Sequence, residues 1–253
     1  MVKFTEWRCT MVLVVTTVFA VFLQPENTSI WQYLGSVVLY YAITMWGMSA
    51  VYHRWYSHGS YDAPSWFVNI GTALFMTAGA GAPRSWATIH TGHHMYADTE
   101  KDPHSPRHKT FRTFTHSPKI LINKEVILHL NDRLKTNNQK LLTKYYNIIL
   151  ASWVGFLYLL GYEFLYFLFL VPISLVCISS LISNSVPHLV KWSKPHVNQS
   201  GCANNMPKWW GLLLAEGFHN THHTKPWLWE QREDGKGFDI AATLIRWFKY
   251  PDK

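Results

Sequence analysis

Four long stretches without a charged side chain constrain the fold of this chain most. A helix rises about 1.5 Å per residue, so roughly 20 apolar residues cross the hydrocarbon of a membrane and about 17 can suffice. The stretches run over Cys9–Leu23, Ile30–Val51, Tyr145–Tyr162 and Phe164–Ile182. Short turns join the first to the second and the third to the fourth. The pattern predicts an all-α integral membrane protein with four transmembrane helices in two hairpins.

The remaining composition agrees with a membrane protein that has substantial polar parts. Hydrophobic residues make up 48% of the 253 positions, yet the mean hydropathy is −0.05 because charged residues crowd between the apolar stretches. Cys9, Cys177 and Cys202 include no CxxC pair, so no disulfide framework is indicated. We expect residues 1–253 to form one domain.

The distribution of basic residues predicts the topology. The net charge is +8, but the two turns, "QPENTS" and "GYE", contain no lysine or arginine. All 23 basic residues lie in the N-terminus, between Arg54 and Lys144, or after Ile182. By the positive-inside rule, both termini and a cap formed by residues 53–144 and 183–253 face the cytoplasm. Membrane topology therefore accounts for the charge, and no nucleic-acid partner is needed.

Three weaker segments each have two interpretations. Cys9–Leu23 fits a span and, loosely, a cleaved signal peptide. The Gly/Ala-rich window Trp66–Pro83 is less hydrophobic, which favours an interfacial or re-entrant segment. The C-terminal "GFDIAATLIRWFKY" suits a helix on the membrane surface or an amphipathic core helix, with Asp239 off its apolar stripe. That stripe consists of Phe238, Ala241, Leu244, Ile245 and Phe248.

Histidines recur in three motifs on the predicted cytoplasmic side. The motifs are HxxxxH at His53 and His58, HxxHH at His90, His93 and His94, and HxxHH at His219, His222 and His223. On a helix, positions i, i+3 and i+4 share one face, so each HxxHH presents three imidazoles together. Residues i and i+5 point apart on an α-helix, so the HxxxxH pair should either serve two metals or straddle a helix end. The number of ligands favours two metals.

A fourth motif lies where the last predicted span returns to the cytoplasm. Asn184 and His188 are spaced i and i+4 in "SNSVPH", at about the membrane depth of His53. We expect both at the metal site. The other histidines lie in polar loops and are predicted to be solvated; they are His104, His108, His116, His129 and His196.

The imidazole ligands alone do not identify the metal. Imidazole binds zinc, iron, copper and nickel. A ferritin-like carboxylate site needs a Glu-x-x-His motif on two helices, and "EGFH" with Glu216 and His219 has no second copy. A carboxylate-bridged centre is therefore disfavoured.

In order and topology, the four motifs resemble those of the membrane fatty acid desaturases, the Δ9-type acyl-lipid and acyl-CoA enzymes. The resemblance runs from about residue 30 to the C-terminus. It implies that nine histidines hold two non-haem iron ions and that Asn184 contributes through a water. These histidines are His53, His58, His90, His93, His94, His188, His219, His222 and His223. Asp98, Asp102 and Glu216 are candidates to orient the imidazole rings.

The resemblance also implies an activity and its partners. Members of the family use dioxygen and two electrons to introduce a cis double bond into a fatty acyl lipid or acyl-CoA. No HPGG haem motif is present, so we expect an external donor, a ferredoxin or cytochrome b5, and membrane lipids as surroundings. Thr91 and Ala215 depart from the usual motifs without removing a ligand. The loop Lys109–Lys144 shows little resemblance, so contacts to the headgroup or donor can differ.

Two other functions remain open at this point. Histidine-box hydroxylases and ketolases usually carry HxxxH and lack NxxxH, whereas this chain has HxxxxH and Asn184. A metal transporter would place ionisable ligands near the membrane midplane. Here the histidines gather at helix ends and loops, which favours the desaturase.

Overall fold

The computed structural model describes residues 22–103, 105–107, 124–189, 194–195, 202–232 and 235–251. The predicted first span lies outside the described residues except for Phe22 and Leu23. Four of the histidines predicted to be solvated also lie outside them, namely His104, His108, His116 and His196.

The first long helix carries the HxxxxH motif at its end. Helix α1 (Ile30–Tyr41) continues directly into the π-helix π1 (Ala42–Ser57). Ser29 starts it with a capping box, in which Gln32 Oε1 accepts a hydrogen bond from the backbone N–H of Ser29 at 2.7 Å. The helix ends where the N–H of His58 donates to the carbonyl of His53 at 3.2 Å. This is an i→i−5 bond, the pattern that defines a π-helix.

Two shorter helices follow. Helix α2 (Ser65–Thr77) packs against π1, and helix α3 (Pro83–Tyr96) begins with the proline at its first position, where no N–H is needed. With 13 residues, α2 is too short to cross the hydrocarbon as a helix. The interfacial or re-entrant placement of Trp66–Pro83 stays a prediction.

The second half of the helical bundle is a tight hairpin. After α4 (Lys124–Leu128) and a 3-10 turn (Asp132–Leu134), α5 covers Asn137–Leu160. Gly161 turns the chain at φ 136°, a conformation that a side chain would disfavour. The chain then returns through α6 (Tyr162–Leu165), the π-helix π2 (Tyr166–Leu170) and α7 (Val171–Leu189). The turn predicted at "GYE" is therefore confirmed.

Among the described residues, two continuous helices are long and apolar enough to cross a membrane. They are Ile30–Ser57 and Tyr162–Leu189, each of 28 residues. Helix α5 is not among them, because it starts in the polar segment that begins at Asn137 and its apolar part, residues 145–160, has only 16 residues. Trp31, Ile148 and Leu159 expose their apolar side chains on α1 and α5, as expected for surfaces that face lipid.

The C-terminal part folds back over π1. A two-residue antiparallel pair, β1 (Lys194–Pro195) with β2 (Cys202–Ala203), is the exception to the all-helical class in the described part. Three helices follow: α8 (Trp210–Leu213), α9 (His219–Thr224) and α10 (Ile240–Phe248). The core lies between π1, α2, α5 and α7.

Helix α10 is an amphipathic core helix. Ala241 and Ile245 are buried where it packs on π1. Asp239 caps the helix, where it is buried and accepts a hydrogen bond from the N–H of Ala242 at 2.9 Å. One detail of the prediction was wrong. Phe238 precedes the helix and half of its surface is exposed.

Candidate metal centre

Four elements bring the histidine motifs to one place. The end of π1 carries His53 and His58, and the end of α7 carries His188. Helices α3 and α9 carry the two HxxHH motifs. Asn184 lies one helical turn before His188 and is half-buried. The structure therefore gathers the nine predicted histidines, which are separated by up to 170 positions in sequence.

Within the described part of the chain, the histidines form two groups that could each hold a metal ion. The first cluster consists of His53, His58, His90, His94 and His222. The second cluster consists of His93, His188, His219 and His223. In each group the candidate ligand atoms lie within 4.8 Å of one another. Each HxxHH is thus divided, with one part in each cluster.

The rings meet through their Nε2 atoms. In the first cluster, Nε2 of His222 lies 3.0 Å from that of His53 and 2.7 Å from that of His94. The Nε2 atoms of His58 and His90 are 2.9 Å apart.

The second cluster has the same arrangement. Nε2 of His219 lies 2.9 Å from that of His188 and 3.2 Å from that of His223. His93 approaches His223 through Nε2 at 3.2 Å. In both clusters one nitrogen of each ring faces the centre, which leaves Nδ1 for other partners.

The placement of His53 and His58 resolves the two alternatives for the HxxxxH motif. Both rings belong to the first cluster, with centroids 5.0 Å apart. The expectation that they would point apart holds for an α-helix and was wrong here, because the i→i−5 bonding of π1 brings residues five apart closer to one face. His58 is the residue that ends the helix, so the pair straddles a helix end, as the second alternative predicts.

Three carboxylates contact the Nδ1 side of the rings. Asp102 Oδ2 lies 2.8 Å from Nδ1 of His93, and Asp98 Oδ2 lies 3.2 Å from Nδ1 of His188. Glu216 Oε1 lies 3.0 Å from Nδ1 of His53. Such contacts fix the tautomer and the orientation of a metal-binding imidazole. Asp98, Asp102 and Glu216 therefore occupy the positions that were predicted for orienting residues.

Two of these carboxylate residues adopt an unusual backbone conformation. Asp98 and Glu216 have φ of 60°, and they are the non-glycine residues with positive φ in the described ranges. Side chains rarely adopt this region, which costs of the order of 1–3 kcal/mol unless surrounding contacts enforce it. The contacts of both carboxylates with histidine rings are an identifiable reason for the conformation.

Burial keeps most of the cluster histidines neutral. Burial, followed by repulsion between neighbouring rings, lowers the pKa of five of them well below the usual range; they are His58, His90, His94, His222 and His223. For His93 burial acts in the same direction, but Asp102 outweighs it and raises the pKa. A neutral imidazole has the free lone pair that a metal requires.

A buried arginine lies next to the first cluster, on the Nδ1 side of its rings. Arg54 is 1% exposed and directs its guanidinium to Asp239 at 3.0 Å and to Gln231 Oε1 at 3.1 Å. Gln231 Nε2 in turn lies 3.4 Å from Nδ1 of His222. Sequence reasoning missed Arg54, Asp239 and Gln231 as site residues. Its position directly after His53, a candidate ligand at the end of a predicted span, was the available signal for Arg54.

The charges around Glu216 favour its ionised form. Burial alone would raise its pKa, but attraction to His53 and Arg54 outweighs burial and lowers the pKa to about 2. Ser49 also donates its hydroxyl hydrogen bond to Oε1. By contrast, His129 is exposed and contacts the backbone carbonyl of Glu125 at 2.8 Å, which agrees with its prediction as a solvated residue.

The donor atoms fit transition-metal ions. Imidazole nitrogens bind such ions at about 2.0–2.1 Å, so ligands that share one ion have nitrogens roughly 3 Å apart. The Nε2 atoms described above are 2.7 to 3.2 Å apart. His94 approaches both His90 and His222 through the same Nε2, which a single N–H cannot satisfy. Convergence on a shared cation explains this arrangement better than hydrogen bonding does.

A family model described as fatty acid desaturase matches residues 28–233, which include the nine histidines. The chain belongs to the fatty acid desaturase family. It is 26% identical to Delta-9 acyl-lipid desaturase 2 of Arabidopsis thaliana over 230 residues, covering 87% of this chain and 72% of the relative. It is 28% identical to the sn-1 stearoyl-lipid 9-desaturase of Anabaena variabilis, covering 79% and 74%. It is also 28% identical to Delta(9)-fatty-acid desaturase fat-5 of Caenorhabditis elegans, covering 85% and 68%.

Family membership defines the class of reaction. The protein is a fatty acid desaturase, an oxidoreductase that acts on acyl lipids. The prediction made from the histidine motifs is therefore confirmed. The hydroxylase, ketolase and transporter alternatives are not favoured by these relatives.

Proposed function

We propose that this desaturase introduces a cis double bond at the Δ9 position of a saturated acyl chain carried on a membrane glycerolipid. The relatives in Arabidopsis thaliana and Anabaena variabilis are an acyl-lipid and a stearoyl-lipid desaturase by name, which supports both the position and the carrier. The alternative is an acyl chain carried on CoA, and an experiment described below distinguishes the two carriers.

The observation that carries the proposal is the convergence of the nine histidines into two adjacent groups. Each group offers at least four Nε2 atoms, which is enough for one ion. We propose that the two groups hold two non-haem iron ions, with Asn184 contributing through a water. When bound, such ions supply the dioxygen chemistry that removes two hydrogens from an unactivated acyl chain.

The residues of the chain itself prepare the site for that chemistry. Asp98, Asp102 and Glu216 hold Nδ1 of three rings and so direct Nε2 of each ring into a cluster. Burial lowers the pKa of His58, His90, His94, His222 and His223 and so keeps these five imidazoles neutral. His188 and His223 are completely buried.

The membrane topology that we propose has four spans in two hairpins, with both termini and the site on the cytoplasmic side. Two of the spans coincide with the helices Ile30–Ser57 and Tyr162–Leu189. Helix α5 supplies a third through its apolar part, residues 145–160, which together with the turn at Gly161 and Tyr162 is close to the roughly 17 residues that a span needs. The distribution of lysine and arginine supports the orientation.

The electrons come from a separate protein, for which we propose a ferredoxin or cytochrome b5. Lys124, Lys135 and Lys140 are exposed basic residues on the side chosen for the cytoplasm, and an acidic donor would be attracted to them. If so, the turnover rate with a supplied donor should fall as salt is raised. A rate that is independent of ionic strength would contradict docking by charge.

The activity can be tested in a host whose lipids are saturated. The chain is expressed with a donor, and the fatty acids are analysed by mass spectrometry after their double bonds are derivatised. We expect new Δ9 cis-monoenes that disappear in His93→Ala, with His129→Ala as the matched control that retains them. Hydroxylated products, or an unchanged profile for the wild type, would contradict the proposal.

The identity of the acyl carrier is tested with labelled substrates, in which the appearance of the double bond is followed over time. Saturated glycerolipid with a labelled acyl chain is supplied in membranes, and labelled acyl-CoA is supplied in a parallel reaction without acyltransferase activity. We expect the double bond to appear in the glycerolipid without passage through acyl-CoA. Conversion of acyl-CoA but not of glycerolipid would contradict the proposed carrier and identify acyl-CoA as the substrate.

A further inference from the structure

The three carboxylates do not complete the surroundings of the histidines. Behind the first cluster lies a fully buried group of polar side chains that comes from three separate parts of the chain. It consists of Arg54 on π1, Gln231 in the segment after α9, and Asp239 at the start of α10. A buried charge of this kind is costly to desolvate and needs well-placed partners.

Both terminal nitrogens of the Arg54 guanidinium have such partners. Its guanidinium contacts Asp239 Oδ2 at 3.0 Å and Oδ1 at 3.1 Å, and it donates to the carbonyl of Trp229 at 3.0 Å. Asp239 also caps α10, so one carboxylate joins the arginine to the start of that helix. The contacts fix the position of the guanidinium.

Two chains of contacts lead from this guanidinium to ligands of the first cluster. Along the first, Arg54 donates to Gln231 at 3.1 Å, and Gln231 approaches Nδ1 of His222 at 3.4 Å. Along the second, Arg54 lies 3.8 Å from Glu216 Oε1, and the same oxygen lies 3.0 Å from Nδ1 of His53. Both histidines belong to the first cluster.

We propose that Arg54 is a positioning residue for the first cluster: through Glu216 and Gln231 it holds the rings of His53 and His222, and through Asp239 it ties this cluster to the C-terminal helix. The inference rests on the proposed function, because it concerns the ion that this cluster would hold. Arg54 does not touch the second cluster, which has Asp98 and Asp102 against its own rings.

The planar fork of arginine is essential to this role. One guanidinium serves the carboxylate, the amide oxygen and a carbonyl at once, whereas a lysine ammonium is a point charge that cannot match this geometry. Arg54→Lys therefore preserves the charge and removes the alignment. Loss of a group that orients a ligand typically costs 10-fold to 100-fold in metal affinity.

The test is stepwise removal of iron from the purified full-length protein by a chelator, followed by Mössbauer spectroscopy of ⁵⁷Fe. The two clusters have different numbers of histidines, so two bound irons should give distinct signals. In Arg54→Lys we expect one iron to leave at a chelator concentration about 10-fold to 100-fold lower, with the other unchanged. Arg232→Lys is the matched control, since Arg232 makes a two-pronged pair with Glu230 and should leave both irons unchanged.

A second variant covers the case in which a misplaced buried charge prevents folding. Arg54→Gln with Asp239→Asn removes both charges together, and asparagine retains the helix cap. We expect the same selective loss of one iron with a Tm close to that of the wild type.

The outcomes separate the two proposals. Equal release of both irons at wild-type chelator concentration in both variants would overturn the role of Arg54 and leave the proposed function intact. Simultaneous weakening of both irons with a lowered Tm would also overturn it, since that is a general structural defect. A wild-type protein that binds no iron would contradict the proposed function itself, and the inference with it.

Discussion

The two histidine clusters differ in how the chain supports them. In the second cluster, Asp102 holds His93 from only nine positions away, and Asp98 of the same segment holds His188 on α7. In the first cluster, Glu216 and Gln231 reach His53 and His222 with the help of Arg54, and the contact between His53 and Glu216 spans 163 positions. The carboxylates that hold rings of the second cluster therefore come from one short segment after α3, whereas Glu216 and Gln231, which hold rings of the first, come from the C-terminal part that docks on π1.

The difference predicts that damage at the two clusters can be separated. Changes at Asp98 or Asp102 should weaken the second cluster, and changes at Arg54, Gln231 or Asp239 should weaken the first. If every such variant lost both ions together, the difference in support between the two clusters would have no functional consequence.

The largest expected effect comes from two adjacent ligands. His222 belongs to the first cluster and His223 to the second. We expect His222→Ala and His223→Ala each to reduce monoene formation at least 100-fold, because the reaction needs both ions. Monoene content of the host lipids measures this. Full activity in either variant would remove that histidine from the site.

A smaller effect is expected where a carboxylate is neutralised but its shape is kept. Asp102→Asn leaves His93 with a weaker partner at Nδ1, so affinity for the second ion should fall about 10-fold to 100-fold. Chelator titration of the purified protein measures the loss. The first ion should be retained as in the wild type, and its parallel loss would contradict independent support.

Close backbone packing offers a way to disturb the first cluster from a distance. A Cβ atom at Gly211 would overlap the carbonyl of Phe238, so Gly211→Ala must displace the segment that carries Asp239. We expect a loss of about 1–3 kcal/mol in stability, as for other overpacked sites, together with weaker binding of the first ion. A denaturation curve and a chelator titration test the two parts. Unchanged stability would mean that this contact does not hold the segment.

A milder change of the same kind tests the second cluster. A Cβ atom at Gly92 would lie 3.1 Å from Pro103 Cγ, so Gly92→Ala should shift the segment that follows α3 by a few tenths of an ångström. Alanine is favoured over glycine in a helix by up to about 1 kcal/mol, so stability should stay nearly constant. Affinity for the second ion should fall by less than about 10-fold, and so by less than in Asp102→Asn. Selective weakening of the first ion would contradict the assignment.

The smallest expected effect concerns acid. The pKa of Glu216 is lowered from 4.5 to about 2, so its ionised form stabilises the fold above pH 4.5, and this contribution is lost as the pH falls towards 2. Glu216→Gln should therefore flatten the decline in Tm over that interval. Thermal unfolding at several pH values measures it, and an unaltered acid profile would show that Glu216 makes no such contribution.

Much of the site could be predicted from local spacing. Each HxxHH motif places three rings on one face of a helix, and the HxxxxH and NxxxH motifs add His53, His58 and His188, so the motifs together indicate all nine candidate ligands. Their division between two clusters could not be predicted, because it depends on the relative placement of π1, α3, α7 and α9. The α-helical period also gave the wrong direction for His53 and His58, since the hydropathy of Ala42–Ser57 does not distinguish a π-helix from an α-helix.

Isolated polar residues were hardest to predict. Arg54, Gln231 and Asp239 follow no repeating pattern, and their role arises from contacts between distant segments. The hairpin turn at Gly161 was predictable because glycine and the break in apolar residues coincide there. Helix α5 starts earlier than the apolar stretch because backbone hydrogen bonding continues where side chains become polar.

The central claim is that the two clusters hold two iron ions in one desaturase. The most direct measurement is the ratio of iron to polypeptide in the purified active protein, together with the same ratio in His222→Ala and His223→Ala. We predict two irons per chain in the wild type and a different single iron remaining in each variant. One iron per chain in the active wild type, or zinc in its place, would contradict the account.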